Sequence, residues 1–330
     1  MDNPNANLPA ARQALAMATY SSNANVPELV TSAGPAAVFV WEEFVYGRLR
    51  NRHTRRNYSH AVARFLAWCE YRGIELSRIA PRDVGQYLDE LEFAPATKKL
   101  HLSALRHFFD QLVSRHVVIL NPASSVRGER LQVVEGRTPE ITVKQARHLL
   151  GSIDTSHAIG LRDKAIIAIL IYTAARVGAV ARLRRGDYYD AGEQYCLRFT
   201  EKGTKTREIP VRHDLCGFLS AYLNAARLEY SEKSTPLFRT TIRRTKRMTQ
   251  NAMSAGDMAR MVKRRMRQAG LPSRLSPHSF RVAAITDLLS QGVPLEDVQM
   301  LAGHADPRTT RLYDRRHRQV TRNIVERISI

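Results

Sequence analysis

The sequence predicts a mainly α-helical protein with a small β-sheet, divided into two domains. Three observations carry this. The chain has 330 residues, and single cores stop growing near ~250–300 residues, so two domains are expected. Apolar residues recur at helical spacing through both halves, and one stretch near 194–211 replaces that period with two strand-like runs about a turn. Hydrophobic residues at 44% and charged residues at 25% argue against a largely disordered chain.

Residues 1–34, rich in Asn, Ala, Ser and Pro, read as a flexible arm, and they lack the basic segment and apolar core of a secretory signal. A helical domain over 35–125 follows. It opens with "AAVFVWEEFVYGRLR", where Val38, Trp41, Phe44 and Val45 recur at helical spacing. In "HTRRNYSHAVARFLAWCEYRG", Tyr58, Val62, Phe65, Leu66 and Cys69 share a face and Gly73 supplies the stop, while Arg55, Arg56 and Arg64 occupy the other face. "PRDVGQYLDELEF" begins with Pro81 at a first helical position. "PATKKLHLSALRHFFDQLVSRH" sets Leu105, Phe108, Phe109 and Leu112 on one stripe, with Lys98 and Lys99 near its start.

No apolar period crosses the polar stretch 121–139, so the domain boundary falls there, with a linker over 126–139 and a second domain over 140–330. Helices are expected at 142–153 and 161–175. The second contains the apolar run "AIIAILIY", far short of the roughly 20 residues a membrane span needs, so it reads as a buried helix. "QYCLRFTEKGTKTREIPV" is a hairpin whose turn is "EKGTK". Further helices are expected at 213–229, 255–269, 277–291, 294–303 and 317–328.

Charge narrows the function class. Fifty-one Lys and Arg against thirty-one Asp and Glu leave a formal +20 spread along the chain, which calls for a polyanionic partner. Arginine predominates, and its planar fork of donors suits phosphate oxygens, so nucleic acid fits better than a membrane surface. The basic runs containing Arg243, Arg244, Lys246 and Arg247, and Lys263, Arg264 and Arg265, are expected backbone contacts, joined by Arg55, Arg56, Lys98 and Lys99. Cys69, Cys196 and Cys216 are odd in number and far apart, which points to neither a disulfide framework nor a zinc site. The expected setting is intracellular and cytoplasmic.

"PHSFRVAAITDLL" places His278 and Arg281 three residues apart, on one face of a helix. "LAGHADPRTTRLYDRR" adds His304 and, nine positions on, Tyr313 among arginines. Upstream stand Arg176, in "YTAARVGAV", and Lys202, in the hairpin turn. Alone, each is an ordinary surface histidine, helix cap, solvated lysine or half-buried tyrosine. The ordered set Arg, Lys, His-x-x-Arg, Gly-His, Tyr resembles the catalytic signature of the tyrosine site-specific recombinases, the phage integrase and Xer-type family. The resemblance covers roughly 36–326.

On that resemblance Arg176 stands in the family's "T-G-L-R" box, here "TAAR", and Lys202 in "G-K-G-x-K-x-R-x-x-P", here "EKGTKTREIP". His278 and Arg281 match His-x-x-Arg, His304 the Gly-His, and Tyr313 the nucleophile. Two departures stand out: Ala179 occupies a position usually acidic, and "VAA" follows Arg281 where "HT" is common. The resemblance implies a SAM-like helical core-binding domain, then an α/β catalytic domain. It further implies strand exchange through a 3′-phosphotyrosine and a Holliday junction, by a homotetramer on two copies of a specific duplex DNA site. The last helix, with Val320, Ile324, Val325 and Ile328 in a stripe, would dock on a neighbour or pack on its own domain.

A phenol of ordinary pKa near ~10 is a poor nucleophile, and a phosphodiester under attack gathers charge on its oxygens, so fixed cations are what this chemistry needs. Arg176, Arg281 and His304 are assigned to the phosphate, Lys202 to protonating the departing 5′ oxygen, and His278 to accepting the tyrosine proton. No tight carboxylate cluster for a two-metal nuclease is evident in the sequence, so no cofactor or metal is expected. A type IB topoisomerase uses similar residues, and a non-catalytic DNA-binding protein could share the scaffold; the separate helical domain and the intact set favour the recombinase.

Overall fold

Three helices of the first half begin with proline, whose fixed φ suits a first helical turn and whose missing N–H has no partner to lose there. The computed structural model describes residues 26–129, 138–200, 206–242, 245 and 247–313. The chain divides into two compact units, Met1–Gln132 and Val133–Ile330.

The first unit holds α1 (Glu28–Ser32), α2 (Pro35–Glu42), α3 (Arg52–Tyr71), α4 (Pro81–Glu90) and α5 (Pro95–Ser114). A wider helical turn, Glu43–Arg48, continues α2. Asn51 caps α3 by accepting from the backbone of His53 and Thr54, at 2.9 and 3.3 Å. The helix stops at Gly73, whose φ of 65° lets Ile74 N–H reach back to Cys69 O at 3.0 Å. The expected stripe of α5 is the core: Leu105, Phe108, Phe109 and Leu112 are fully buried, and Phe108 packs edge-on against Trp41 and Phe44. Each such side chain stabilises the fold by ~1.5–3 kcal/mol.

The end of the expected arm is not arm. Glu28–Ser32 are helical with Val30 fully buried, because Leu29, Val30 and the neighbouring Val26 form an apolar face that packs on this core. At the other end, Arg106 holds the carbonyls of Ala123 and Val126 at 3.0 and 2.6 Å, and Asn121 bonds Arg106 O and Asp110. Residues 121–126 are thereby fastened to α5.

In the second unit α6 (Val143–Ser152) starts with a reciprocal cap between Thr142 and Gln145. Then come α7 (Ala158–Tyr172), α8 (Val177–Ala181), β1 (Tyr188–Asp190), β2 (Tyr195–Thr200), β3 (Thr206–Pro210) and α9 (His213–Ala225). After α9 lie β4 (Arg239–Thr241), β5 (Met248–Ala252), α10 (Ala255–Gln268), α11 (Pro277–Ser290), α12 (Leu295–Ala302) and α13 (Pro307–Arg311). The strands form an antiparallel sheet in the order β1-β2-β3 and a separate antiparallel hairpin, β4-β5. Leu197 pairs with Ile209 and Phe199 with Arg207. The apolar run of α7 is buried throughout Ala165–Leu170, as expected. Gly160 is obligatory in that helix, because a Cβ there would fall 1.7 Å from Asp154 O.

Two helices end earlier than their apolar period indicates. Both α7 and α9 are followed within two residues by a left-handed residue, Ala174 (φ 49°) and Arg227 (φ 55°), which turns the chain. The hairpin β4-β5 was not expected at all, since "RTT" and "MTQNA" carry little apolar alternation. Among the described residues no helix is long and apolar enough to cross a membrane. Lys202 and the expected helix at 317–328 lie outside the described residues.

One buried carboxylate ties this unit together. Asp163 on α7 is 0% exposed; its Oδ1 accepts from Arg162 at 2.7 Å and its Oδ2 from Arg265 of α10 at 2.9 Å. Arg162 also donates to Arg239 O at the start of β4, at 2.7 Å. Removing one partner of a buried ion cluster leaves the others uncompensated, typically at ~3–5 kcal/mol. Asp163→Asn should therefore lower the unfolding free energy in urea by about 3–5 kcal/mol, whereas Asp257→Asn, in an exposed pair with Arg260, should lower it by less than ~1 kcal/mol. Equal small losses would contradict the role given to Asp163.

Candidate active site

The site forms where α7 ends. Thr173 closes the helix by donating to Ile169 O at 2.7 Å and accepting from Ala175 N–H at 3.3 Å. Ala174 then takes the left-handed conformation, which costs a non-glycine residue roughly 1 kcal/mol, and the chain turns so that Arg176 becomes the cap of α8. Arg176 is solvent-exposed. The same turn presents Ala174 O to the guanidinium of Arg281, whose Nη1 donates at 2.6 Å.

Arg281 is 1% exposed and lies one turn along α11 from His278, on the same face. At the end of α12, Gly303 takes φ 62° and directs His304 inward, leaving it 7% exposed. His304 Nδ1 lies 2.9 Å from Thr310 Oγ1, and Gln299 Nε2 donates to its carbonyl at 3.1 Å. Just after α13, Tyr313 lays its ring parallel to that of His304, with centroids 6.0 Å apart, and its Oη stands 3.5 Å from His278 Nε2.

Electrostatics join these groups. Burial first, then Arg281, Arg176, His278 and Arg207, drive the His304 pKa down to about 3. His278 is held below the ordinary imidazole value by desolvation, then by Arg281 and Arg176. Both rings are neutral at pH 7, so they can give or take a hydrogen bond among fixed cations. The structure thus brings together Arg176, His278, Arg281, His304 and Tyr313.

The expected backbone contacts separate into groups. Arg56, Lys99, Lys263 and Arg264 are exposed, and Arg247 is exposed in the turn leading into β5. Arg55 donates to Leu49 O at 3.1 Å, and Lys98 pairs with Glu129 at 3.5 Å. Arg265 is held by Asp163 at 2.8 Å. Arg243, Arg244 and Lys246 lie outside the described residues. Ala179 is buried in the second unit's core, where its methyl packs among apolar neighbours.

One group had been given no role. Arg207 on β3 shares the inner face of the sheet with Ile209, sits 5.4 Å from the Phe199 ring, and adds its charge to those bearing on His304. Strand alternation with Ile209 is the signal that could have found it. Nearby, Arg182 donates to Thr200 O, the last residue of β2, at 2.8 Å.

A tyrosine hydroxyl directed at a neutral histidine beside fixed guanidinium groups defines a site for transfer of an anionic group to a phenol oxygen. Residues 139–319 match the phage integrase family and residues 44–116 its N-terminal SAM-like domain. With more than half of its length in the first match, the chain belongs to the phage integrase family and is a tyrosine recombinase, an enzyme of site-specific recombination. Tyrosine recombinase XerD of Pseudomonas putida is 30% identical over 269 residues, covering 79% of this chain and 86% of that protein. XerD of Bifidobacterium longum is 28% identical over 269 residues, covering 78% and 84%. The fold resembles that of XerH site-specific recombinase bound to palindromic difH substrate in a post-cleavage complex, with a TM-score of 0.68 at 18% identity, covering 92% of this chain and 89% of that one. The expected mainly helical fold with a SAM-like first domain is borne out.

The depressed His304 pKa has a sign. Between about 3 and 6.5 the unfolded chain binds this proton more readily than the folded one, so stability is kept above 6.5 and lost as pH falls towards 3. From pH 7 to 5 this residue's share is on the order of 1–2 kcal/mol. Urea midpoints at the two pH values should fall less for His304→Gln than for the wild type; an identical fall would remove His304 as the source.

Proposed function

We propose that this protein cuts and rejoins duplex DNA at a specific site through a 3′-phosphotyrosine formed on Tyr313. The observation that carries the reading is the 3.5 Å approach of Tyr313 Oη to His278 Nε2, next to the guanidinium groups of Arg176 and Arg281. Tyr313 Oη attacks phosphorus as its proton passes to His278. The bond from phosphorus to the 5′ oxygen breaks, and that oxygen leaves as a hydroxyl with a proton from Lys202. Arg176, Arg281 and His304 hold the non-bridging oxygens, where charge grows in the transition state. The phosphotyrosine keeps the ester, so a second 5′ hydroxyl can reverse the step without ATP.

In this reading residues 35–125 are the core-binding domain, 126–139 the linker and 140–330 the catalytic domain. The division of the chain near Gln132 supports it. The formal +20 supports duplex DNA as the partner, and the XerH complex, described as bound to its difH substrate, supports the same choice. Exposed Arg56, Lys99, Arg247, Lys263 and Arg264 are assigned to its phosphates, together with Arg55, Lys98, Arg265, Arg243, Arg244 and Lys246 in lesser or indirect roles. Two such sites would be held by a tetramer, pass through a Holliday junction, and use the segment 317–328 to dock neighbours. The setting proposed is the cytoplasm.

Covalent trapping tests the reading: wild type and Tyr313→Phe are incubated without metal with nicked duplexes tiled from the DNA flanking the gene, then run on denaturing gels. A Tyr313-dependent adduct at one sequence is the expected result; adducts at many sequences would instead indicate a relaxing enzyme, and an adduct with Tyr313→Phe would place the nucleophile elsewhere. Lys202→Ala should slow cleavage by ~10²-fold or more with a 5′ oxygen leaving group and far less with 5′ sulfur, which leaves without a proton. Equal losses on both substrates would remove Lys202 from the general-acid role.

A further inference from the structure

Thr310 carries a hydroxyl into the site that the preceding mechanism does not use. It lies on α13, is fully buried, and places Oγ1 2.9 Å from Nδ1 of His304. We infer that Thr310 is a positioning residue that fixes His304 in the tautomer with its proton on Nε2, making this ring a neutral donor towards the phosphate.

The argument follows from hydrogen-bond capacity. A threonine hydroxyl has one proton to donate, and a neutral imidazole has one donor nitrogen and one acceptor nitrogen. Among the described residues, the hydrogen bond made by Thr310 Oγ1 is the one to His304 Nδ1. If Nδ1 carried the ring proton, it would donate to Oγ1, and the buried hydroxyl proton would have to find another acceptor where water does not reach. If the hydroxyl donates, Nδ1 accepts, and a neutral ring then has its hydrogen on Nε2. Among the described residues Arg281, Arg176, His278 and Arg207 bear on this ring and Tyr313 stacks on it; burial and the cations keep it uncharged.

Those guanidinium groups also define what Thr310 works against. Without an anion in the site, a field of cations favours a lone pair on Nε2, which is the opposite tautomer. The threonine hydroxyl opposes that preference before the substrate arrives, so the donor is already in place when the phosphate enters. The backbone supports the same geometry: Gly303 in its left-handed conformation and Gln299 bonded to His304 O hold the ring's entry angle, and Asp306 caps the short helix that carries Thr310. Tyr313, parallel to the ring, restricts its rotation from one face.

The inference rests on the catalytic reading only for its use of the Nε2 proton; the tautomer itself is a property of the free protein. Long-range proton–nitrogen correlation spectra of the full chain with ¹⁵N-labelled histidine, assigned with His304→Gln, read it directly at pH 7. Wild type and Thr310→Ser should show a protonated Nε2 and a bare, hydrogen-bonded Nδ1 at His304. In Thr310→Val the Nδ1 signal should shift, because its donor is gone. A proton on Nδ1 in the wild type, or an unchanged Nδ1 signal in Thr310→Val, overturns the proposal, and the wild-type result stands even if the valine variant does not fold. Adduct formation is scored separately on the trapped duplex: Thr310→Val should lose about tenfold or more and Thr310→Ser should restore it. If His304→Gln forms adduct as fast as the wild type, the catalytic reading of His304 fails while the tautomer result remains.

Discussion

A guanidinium that is 1% exposed cannot shed its proton, so the structure around Arg281 must accept a permanent interior charge. The rest of the site follows from that requirement. Arg281 donates to a carbonyl aimed at it, and Ala174 aims that carbonyl by adopting a backbone conformation unfavourable to its own methyl group. The same turn sets the direction of Arg176. Each imidazole admitted to this surplus of positive charge must be neutral, and His278 and His304 are both shifted that way. On the proposed reading an arriving phosphodiester is the complement of a field built before it binds, which is the condition for stabilising charge that grows during reaction.

The protein uses buried arginine in a second manner, and the contrast separates scaffold from site. Around Asp163 the guanidinium groups of Arg162 and Arg265 converge on one carboxylate, joining α7, α10 and the start of β4. That cluster is satisfied from within. Around His304 the guanidinium groups of Arg281, Arg176 and Arg207 instead bear on a histidine, whose charged form they disfavour. Arg265 therefore differs from exposed Lys263 by its partner, while Arg264 reaches the same carboxylate more loosely, at 3.5 Å.

The distinction explains how much the sequence could tell. Helix existence was legible, because Leu105, Phe108, Phe109 and Leu112, or the run Ala165–Leu170, announce burial by spacing and composition alone. The meeting of Arg176, His278, Arg281, His304 and Tyr313 was legible only through their order along the chain, since each is ordinary singly. The helix end at Ala174 was not legible: alanine favours helix, and the left-handed turn is imposed by tertiary contacts, including a bond to a residue 107 positions away. The polar hairpin β4-β5 gave no alternation to read. In "KRRMR" nothing local says that Arg265, and more loosely Arg264, is held by a carboxylate, because Asp163 lies about a hundred residues upstream.

That separation also matters during synthesis. The apolar helix α7 leaves the ribosome well before the helix that supplies the second arginine to its Asp163, with 102 positions between Asp163 and Arg265. At translation rates of ~5–20 residues per second, the nascent chain carries Asp163 with Arg162 but without Arg265 for roughly 5–20 s. Incompletely covered apolar surface is prone to aggregation, and the docking of α10 through Arg265 closes this part of the second unit.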